Sequence, residues 1–118
     1  MKRATGEMGE NLAALYLERT GLTVIERNYR CKAGEIDLVA QDGTELVFAE
    51  VRTRAGSSFG SPEESITTRK QRRMAECALS YLAERGAHGR SWRVDLLAIE
   101  LDHGRVVRVD HYKYVLQA

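Results

Sequence analysis

The stretch GEIDLVAQDGTELVFAEVRTR, residues 34–54, holds two apolar runs joined by Asp42-Gly43-Thr44-Glu45, and the way those runs pair decides the fold. Side chains alternate between the two faces of a strand, so the length of the loop sets which residues meet. With a four-residue loop closed by Gln41 opposite Leu46, one face pairs Ala40 with Val47, Leu38 with Ala49 and Ile36 with Val51. All six are apolar, and that face belongs against a helix. The other face pairs Val39 with Phe48, Asp37 with Glu50 and Glu35 with Arg52, apolar near the turn and charged only at the far end. A three-residue loop without a bulge mixes the two faces and is rejected.

This register sets Asp37 against Glu50 with Cβ atoms ~5 Å apart, where like charges destabilise each other. A positive group is therefore expected between them. Arg52 supplies it if the strand is an ordinary charged surface. A hard divalent cation such as Mg²⁺ supplies it if this is a metal site, because Mg²⁺ takes one or two carboxylates and fills its shell with water and substrate phosphate.

Working outward, 118 residues suffice for one domain with a single core, and the whole chain, 1–118, is read as one unit. The 18 basic and 17 acidic residues nearly cancel, so bulk charge does not announce a nucleic-acid binder and only local clustering can. The first residues, MKRATGEMGENLAALYL, contain Glu7, Glu10 and Asn11 where a secretory signal needs an apolar run. No segment approaches the roughly 20 apolar residues of a membrane span, and a cytoplasmic protein without membrane contact is expected. Cys31 and Cys77 lack metal-ligand or framework spacing and read as plain thiols. His88, His103 and His111 likewise lack the spacing of a zinc site.

Helical spacing of Met8, Leu12, Leu15 and Arg19, widened by Ala13, Ala14, Tyr16 and Leu17, predicts a helix from about Gly6 to Thr20 with Gly21 as its stop. LTVIERNYR reads as a strand, CKAG as a loop, and the hairpin follows. After Arg54, AGSSFGSP is turn-rich and reads as a surface loop. Pro62 suits the first turn of a short helical segment through about Ile66. Thr67 or Thr68 then caps a longer helix ending near Arg85 and Gly86, with Met74, Ala78, Tyr81 and Leu82 as its core stripe. SWRVDLLAIEL and VVRVDHYKY flank Asp102-His103-Gly104-Arg105 as a second hairpin of alternating strands. The order αβββαββ predicts an α/β fold in which helices cover one mixed sheet.

Asp, a gap, then Glu-x-Lys across a hairpin is the signature of the PD-(D/E)XK nuclease fold, and Asp37, Glu50 and Arg52 resemble it with arginine in the lysine position. The surrounding residues sharpen the likeness. G-x-x-G-E at Gly6 to Glu10, "RNYR", "GEIDLVA", "LVFAEVRTR", "FGSPEESI", Lys70 and "RVD" at Arg93 to Asp95 together resemble the YraN-like family of small bacterial proteins, themselves similar to archaeal Holliday junction resolvases. The resemblance implies a restriction-endonuclease-like single domain, Asp37 and Glu50 as metal ligands, and Arg52 in the third catalytic place. It also implies an approach of Glu10 to the metal. Read without the resemblance, Glu10 complements the positive end of the helix dipole. Glu35 is either a further ligand or, by preference, the partner of Arg52.

Arg69, Lys70, Arg72 and Arg73 open the long helix, and Arg52 and Arg54 end the strand leading towards it. Arg54, Lys70 and Arg73 are therefore the candidate contacts to a phosphate backbone, the alternative being a solvated helix face. Trp92 and Tyr29 suit either base stacking or, by preference, core packing. Asp95 is expected to pair with Arg93 rather than to bind metal. The expected function is a metal-dependent endonuclease, with Mg²⁺ or Mn²⁺ as cofactor, acting on structured or branched DNA. Its rivals are a non-catalytic nucleic-acid-binding module on the same fold and a protein-interaction domain. The resolvase likeness implies a homodimer, since a four-way junction has two-fold symmetry, although the chain shows no self-complementary stripe.

Overall fold

The computed structural model describes residues 2–55 and 67–117. Helix α1 (Lys2–Arg19) precedes strands β1 (Thr23–Cys31), β2 (Gly34–Asp42) and β3 (Glu45–Ala55); helix α2 (Thr68–Glu84) is followed by β4 (Trp92–Asp102) and β5 (Arg105–Gln117). The strands form one sheet in the order β1-β2-β3-β4-β5. Neighbours are antiparallel except β3 and β4, which run parallel. A parallel pair needs a crossover, and α2 provides it. The expected order αβββαββ and the helix-covered mixed sheet are observed. The loop expected at 55–62 and the helical segment expected from Pro62 to Ile66 lie outside the described residues, apart from Ala55, which ends β3.

The two helices cover opposite faces. Ala13, Ala14 and Leu17 of α1 pack with Leu38, Ala40, Val47, Ala49, Leu97 and Ile99. Met74, Cys77, Ala78, Tyr81 and Leu82 of α2 pack with Val39, Leu46, Phe48 and Val94. The core stripe expected on the long helix is thus correct, with Cys77 added. The stripe expected on the first helix holds in part: Met8 and Leu15 are exposed, while Ala13, Ala14 and Leu17, expected to widen the apolar face, are buried with Leu12 and Tyr16 packed beside them. The reason is a close approach. A Cβ on Gly9 would lie 1.9 Å from Thr53 Oγ1, so α1 seats on β3 along a line of Gly9 and alanines that larger side chains would hold away.

The helix ends follow their residues. Thr67 caps α2 by accepting from the Lys70 N–H at 3.2 Å, and Gly86 (φ 63) takes the left-handed turn beyond its end. Gly21 (φ 103) turns the chain out of α1 in the same way.

The central hairpin has the expected register, with Gln41 opposite Leu46, Ala40 opposite Val47, Val39 opposite Phe48 and Leu38 opposite Ala49. Asp42 also pairs with Glu45, so the turn proper is only Gly43-Thr44. β4 departs from the alternation expected of it. Seven consecutive residues, Arg93 to Ile99, are buried because the strand lies inside the sheet with both faces covered. Two of the seven are charged. Arg93 Nε donates to Asp95 Oδ1 at 2.9 Å, as the expected pairing requires, and Asp95 is further held by His111 Nε2 at 2.7 Å and the Tyr114 N–H at 3.0 Å. Asp42 and Glu45 complete the neutralisation of Arg93 at 3.0 and 2.8 Å.

Candidate functional site

Beyond Leu38 and Ala49 the regular β2–β3 ladder stops, and the site lies where it stops. On β1, Asn28 takes a left-handed conformation (φ 53) between the pairs Arg27–Leu38 and Tyr29–Ile36. A left-handed residue in a strand reverses the pleat, and asparagine accepts that conformation more readily than most residues. Ile36 accordingly packs with Tyr29 in the α2 cluster, whereas Val51 packs against the α1 cluster. The expected apolar pair Ile36–Val51 is therefore not formed. Between these two regions the Asp37 side chain turns back to β3, where Oδ2 accepts the Val51 N–H at 2.8 Å.

The result is a cleft of about 410 Å³ lined by Gly34, Glu35, Asp37, Glu50, Val51, Arg52, Arg73 and Met74. Asp37 and Glu50 share it, as the hairpin reading requires, although the regular cross-strand pairing ends one residue short of them. Arg52 Nη2 lies 3.1 Å from Glu50 Oε2. Glu35 instead lies 3.8 Å from Arg30 Nε, so the expected Glu35–Arg52 pair is replaced by one pair along β3 and one between β1 and β2.

Glu10 joins this neighbourhood from α1. With its amide nitrogen turned to the carboxylates, Asn28 donates to Glu35 Oε1 at 3.1 Å and to Glu10 Oε1 at 3.2 Å, tying the two acids together. Burial raises the Glu10 pKa above its ordinary value; the Asn28 hydrogen bond works against this and the charge of Glu35 adds to it. Asp37 responds more strongly. Burial pushes its carboxyl from 3.8 up to about 7; the Val51 N–H opposes the rise, and the charges of Glu50, Glu10 and Glu35 add to it. Arg52 relieves Glu50 while Asp37 stays in a negative field.

On the α2 side, Arg73 packs over Gly34, where a Cβ would sit 3.1 Å from its Cδ. Arg73 also borders an adjoining groove of about 420 Å³ lined by Thr68, Arg69, Arg72 and Glu76. Lys70 is half-buried and lines neither hollow. Arg54 lies further along β3, its register partner on β4 being Glu100. Arg73, one of the three expected phosphate contacts, thus lines the carboxylate cleft, with Arg69 and Arg72 beside it in the adjoining groove. Tyr29 and Trp92 are packed edge-on against Tyr81 and Phe48, the core role preferred for each.

The donor set can be tested against a metal. Among the described residues no three acid, histidine or thiol side chains converge as a ready cage. The Asp37–Glu50 pair has the donor chemistry of a hard divalent ion site, since such an ion takes one or two carboxylates and draws its remaining ligands from water and phosphate. A second feature stands beside it, for among the described residues the buried Arg52 Nε has no hydrogen-bond partner.

Fold and cleft together define a small α/β protein with a carboxylate pair at a break in its sheet and arginines along the rim. The chain belongs to the uncharacterised protein family UPF0102, whose family model matches residues 9–99, and the YraN-like resemblance is thereby borne out. It is 46% identical over 114 residues to a UPF0102 protein of Beutenbergia cavernae, covering 97% of each chain. It is 50% identical over 101 residues to one of Moorella thermoacetica, covering 86% of this chain and 84% of the other. With a UPF0102 protein of Chloroflexus aurantiacus the identity is 47% over 111 residues, covering 93% and 90%. None of the described helices is long and apolar enough to cross a membrane.

Proposed function

We propose that this protein binds structured or branched DNA and hydrolyses its phosphodiester backbone with the help of a divalent metal at Asp37 and Glu50. The observation that carries the reading is the charge imbalance of the cleft. Burial, with the charges of Glu50, Glu10 and Glu35 adding to it, pushes Asp37 up to about 7, while Arg52 and Arg73 border the same hollow. Such a site gains by taking up a cation, and its rim gains by taking up phosphate.

Asp37 and Glu50 would hold the metal, with Glu10 contributing to the field through its Asn28 link to Glu35. When bound, Mg²⁺ or Mn²⁺ supplies the acidification of water and the neutralisation of phosphate charge. Arg52 orients Glu50 through Nη2 and brings its guanidinium charge to the cleft. Arginine stays protonated in proteins, so Arg52 stabilises charge and does not take a proton. Arg73, Arg69 and Arg72 position the backbone without reading sequence.

A second reading, a non-catalytic DNA-binding module, is favoured by the Arg52–Glu50 pair, which engages one of the two carboxylates a metal requires. Incubation with labelled linear, flapped and four-way-junction DNA, with and without Mg²⁺ or Mn²⁺ at fixed salt, separates the readings. Metal-dependent cleavage of a flap or junction supports the enzyme. Salt-sensitive binding without cleavage supports the module, and neither binding nor cleavage rejects both.

A further inference from the structure

Cys31 ends β1 and Cys77 lies midway along α2, 46 positions apart in the chain, yet their sulfur atoms are 2.9 Å from each other. They need to close by only about 0.9 Å to reach the roughly 2.05 Å of a disulfide. The two thiols differ in setting. Cys31 is half-buried and borders a cavity of about 490 Å³ with Lys32, Ala33, Glu76, Ser80 and Glu84, whereas Cys77 is 1% exposed. The Ala33 N–H donates to Cys31 Sγ at 3.3 Å.

We propose that Cys31 and Cys77 form a reversible intrachain disulfide on exposure to peroxide, with Cys31 as the sulfur attacked first and Cys77 as the resolving thiol. The Cys31 thiolate attacks one oxygen of hydrogen peroxide and the O–O bond breaks. Cys31 becomes a sulfenic acid and the departing hydroxide is protonated to water. Cys77 Sγ then attacks the Cys31 sulfur, the S–O bond breaks, and the leaving hydroxide carries off the Cys77 proton as a second water. The two thiols lose two electrons and two protons, and the peroxide is reduced to two waters.

The assignment of roles follows from access and hydrogen bonding. Burial opposes ionisation of Cys31, but hydrogen bonds from Cys77 and from the Ala33 and Gly34 N–H groups outweigh it and hold the thiol below its ordinary value. Burial pushes Cys77 up to about 12, with the neighbouring Cys31 adding to the rise. A peroxide-reactive cysteine is exposed and readily ionised, with a resolving thiol beside it. The bond also has a definite place in the architecture. It would tie the β1–β2 turn to α2 one helical turn after Arg73, the residue that packs over Gly34. The covalent claim stands apart from what the cleft binds.

The test is treatment of the full chain with equimolar hydrogen peroxide, alkylation of remaining thiols, and intact-mass and peptide analysis. The expected product is a monomer two hydrogens lighter, with neither cysteine alkylated, a Cys31–Cys77 cross-linked peptide, and full reversal by dithiothreitol. Closing a loop of this length should raise the melting temperature on the order of 10 °C. Cys77→Ala should leave a dimedone-trappable Cys31 and no rise, and Cys31→Ser should leave Cys77 reduced. Two alkylated thiols after oxidation, a disulfide between chains, or over-oxidised Cys31 beside free Cys77 in the wild type would each overturn the proposal.

Discussion

Replacing Asp37 by asparagine removes the ionisable group while keeping an oxygen that can accept the Val51 N–H. In the folded protein this carboxyl is pushed from 3.8 to about 7, chiefly by burial. The folded state therefore holds a proton that the unfolded chain has released, and stability from this group is fully present below pH 4. It is lost as pH rises through 7. At 1.36 kcal/mol per pH unit the loss amounts to about 4 kcal/mol by pH 8.5. Relaxation of the cleft reduces this, so Asp37→Asn should be about 2–4 kcal/mol more stable than wild type at pH 8.5 and within about 0.5 kcal/mol of it at pH 4. Thermal melts of both proteins across that range measure it, with an expected difference on the order of 10 °C at the alkaline end. Saturating Mg²⁺ or Mn²⁺ at pH 8.5 should narrow the gap by stabilising the wild type, about 2.7 kcal/mol at one hundred times Kd, and should leave the variant unmoved. A variant equally destabilised at both pH values would refute the electrostatic account. A metal-induced rise that survives in Asp37→Asn, or none in the wild type, would refute the metal assignment.

Three further outcomes follow from other parts of the molecule. Arg52→Lys keeps a cation beside Glu50 but introduces an amine able to lose its proton; cleavage of a junction or flap with Mg²⁺ should be weak in the wild type and stronger in the variant. Equal cleavage by both would reject a need for basicity at this position. Arg73→Ala should weaken DNA binding about equally for all sequences and lower the slope of log K against log salt by about 0.9, with a smaller effect from Lys70→Ala, and a loss confined to one sequence would show the contact misassigned. Asp95→Ala leaves Arg93 without the one fully buried carboxylate that pairs with it, and urea unfolding should record a loss of about 3–5 kcal/mol; a loss under about 1 kcal/mol would mean that Asp42 and Glu45 suffice to neutralise it.

The hairpin register was legible in the sequence because Leu38, Ala40, Val47 and Ala49 have only one continuous face to share, and a cap at Thr67 or Thr68 because the two threonines precede a helical stripe. The Arg93–Asp95 pair could be read from alternation along one strand. His111 as the second partner of Asp95 could not, since it arrives from β5, sixteen residues on. The pleat reversal at Asn28 was the main loss. Nothing in "ERNYR" separates an asparagine in a turn from one left-handed within a strand, so the change of face at Ile36 has no signal there. Gly9 stands in the G-x-x-G-E motif, but its packing role has no local signal because the Thr53 side chain that requires it lies on another element. The Cys31–Cys77 approach had no local signal at all, whereas the basic run at Arg69 to Arg73 was visible in the sequence and its groove was not.

The irregularities of this sheet are not spread evenly. The β2–β3 and β3–β4 pairings run without interruption over the residues they join, whereas register shifts fall at Val24/Glu26 in the β1 pairing and at Val94/Leu96 and Glu100/Leu101 in the β5 pairing. The left-handed non-glycine residues inside strands, Asn28 and Tyr114, are on the same two strands. Those strands are the sheet's edges, where unpaired backbone groups invite other chains to add on. A bulged, over-twisted edge is a poor template for such addition. The distortion that opens an acidic cleft at Asn28 thus also guards one border against runaway strand-to-strand stacking. Tyr114 interrupts the opposite border, so a chain with exposed Val106 and Val107 on its last strand can stay dispersed.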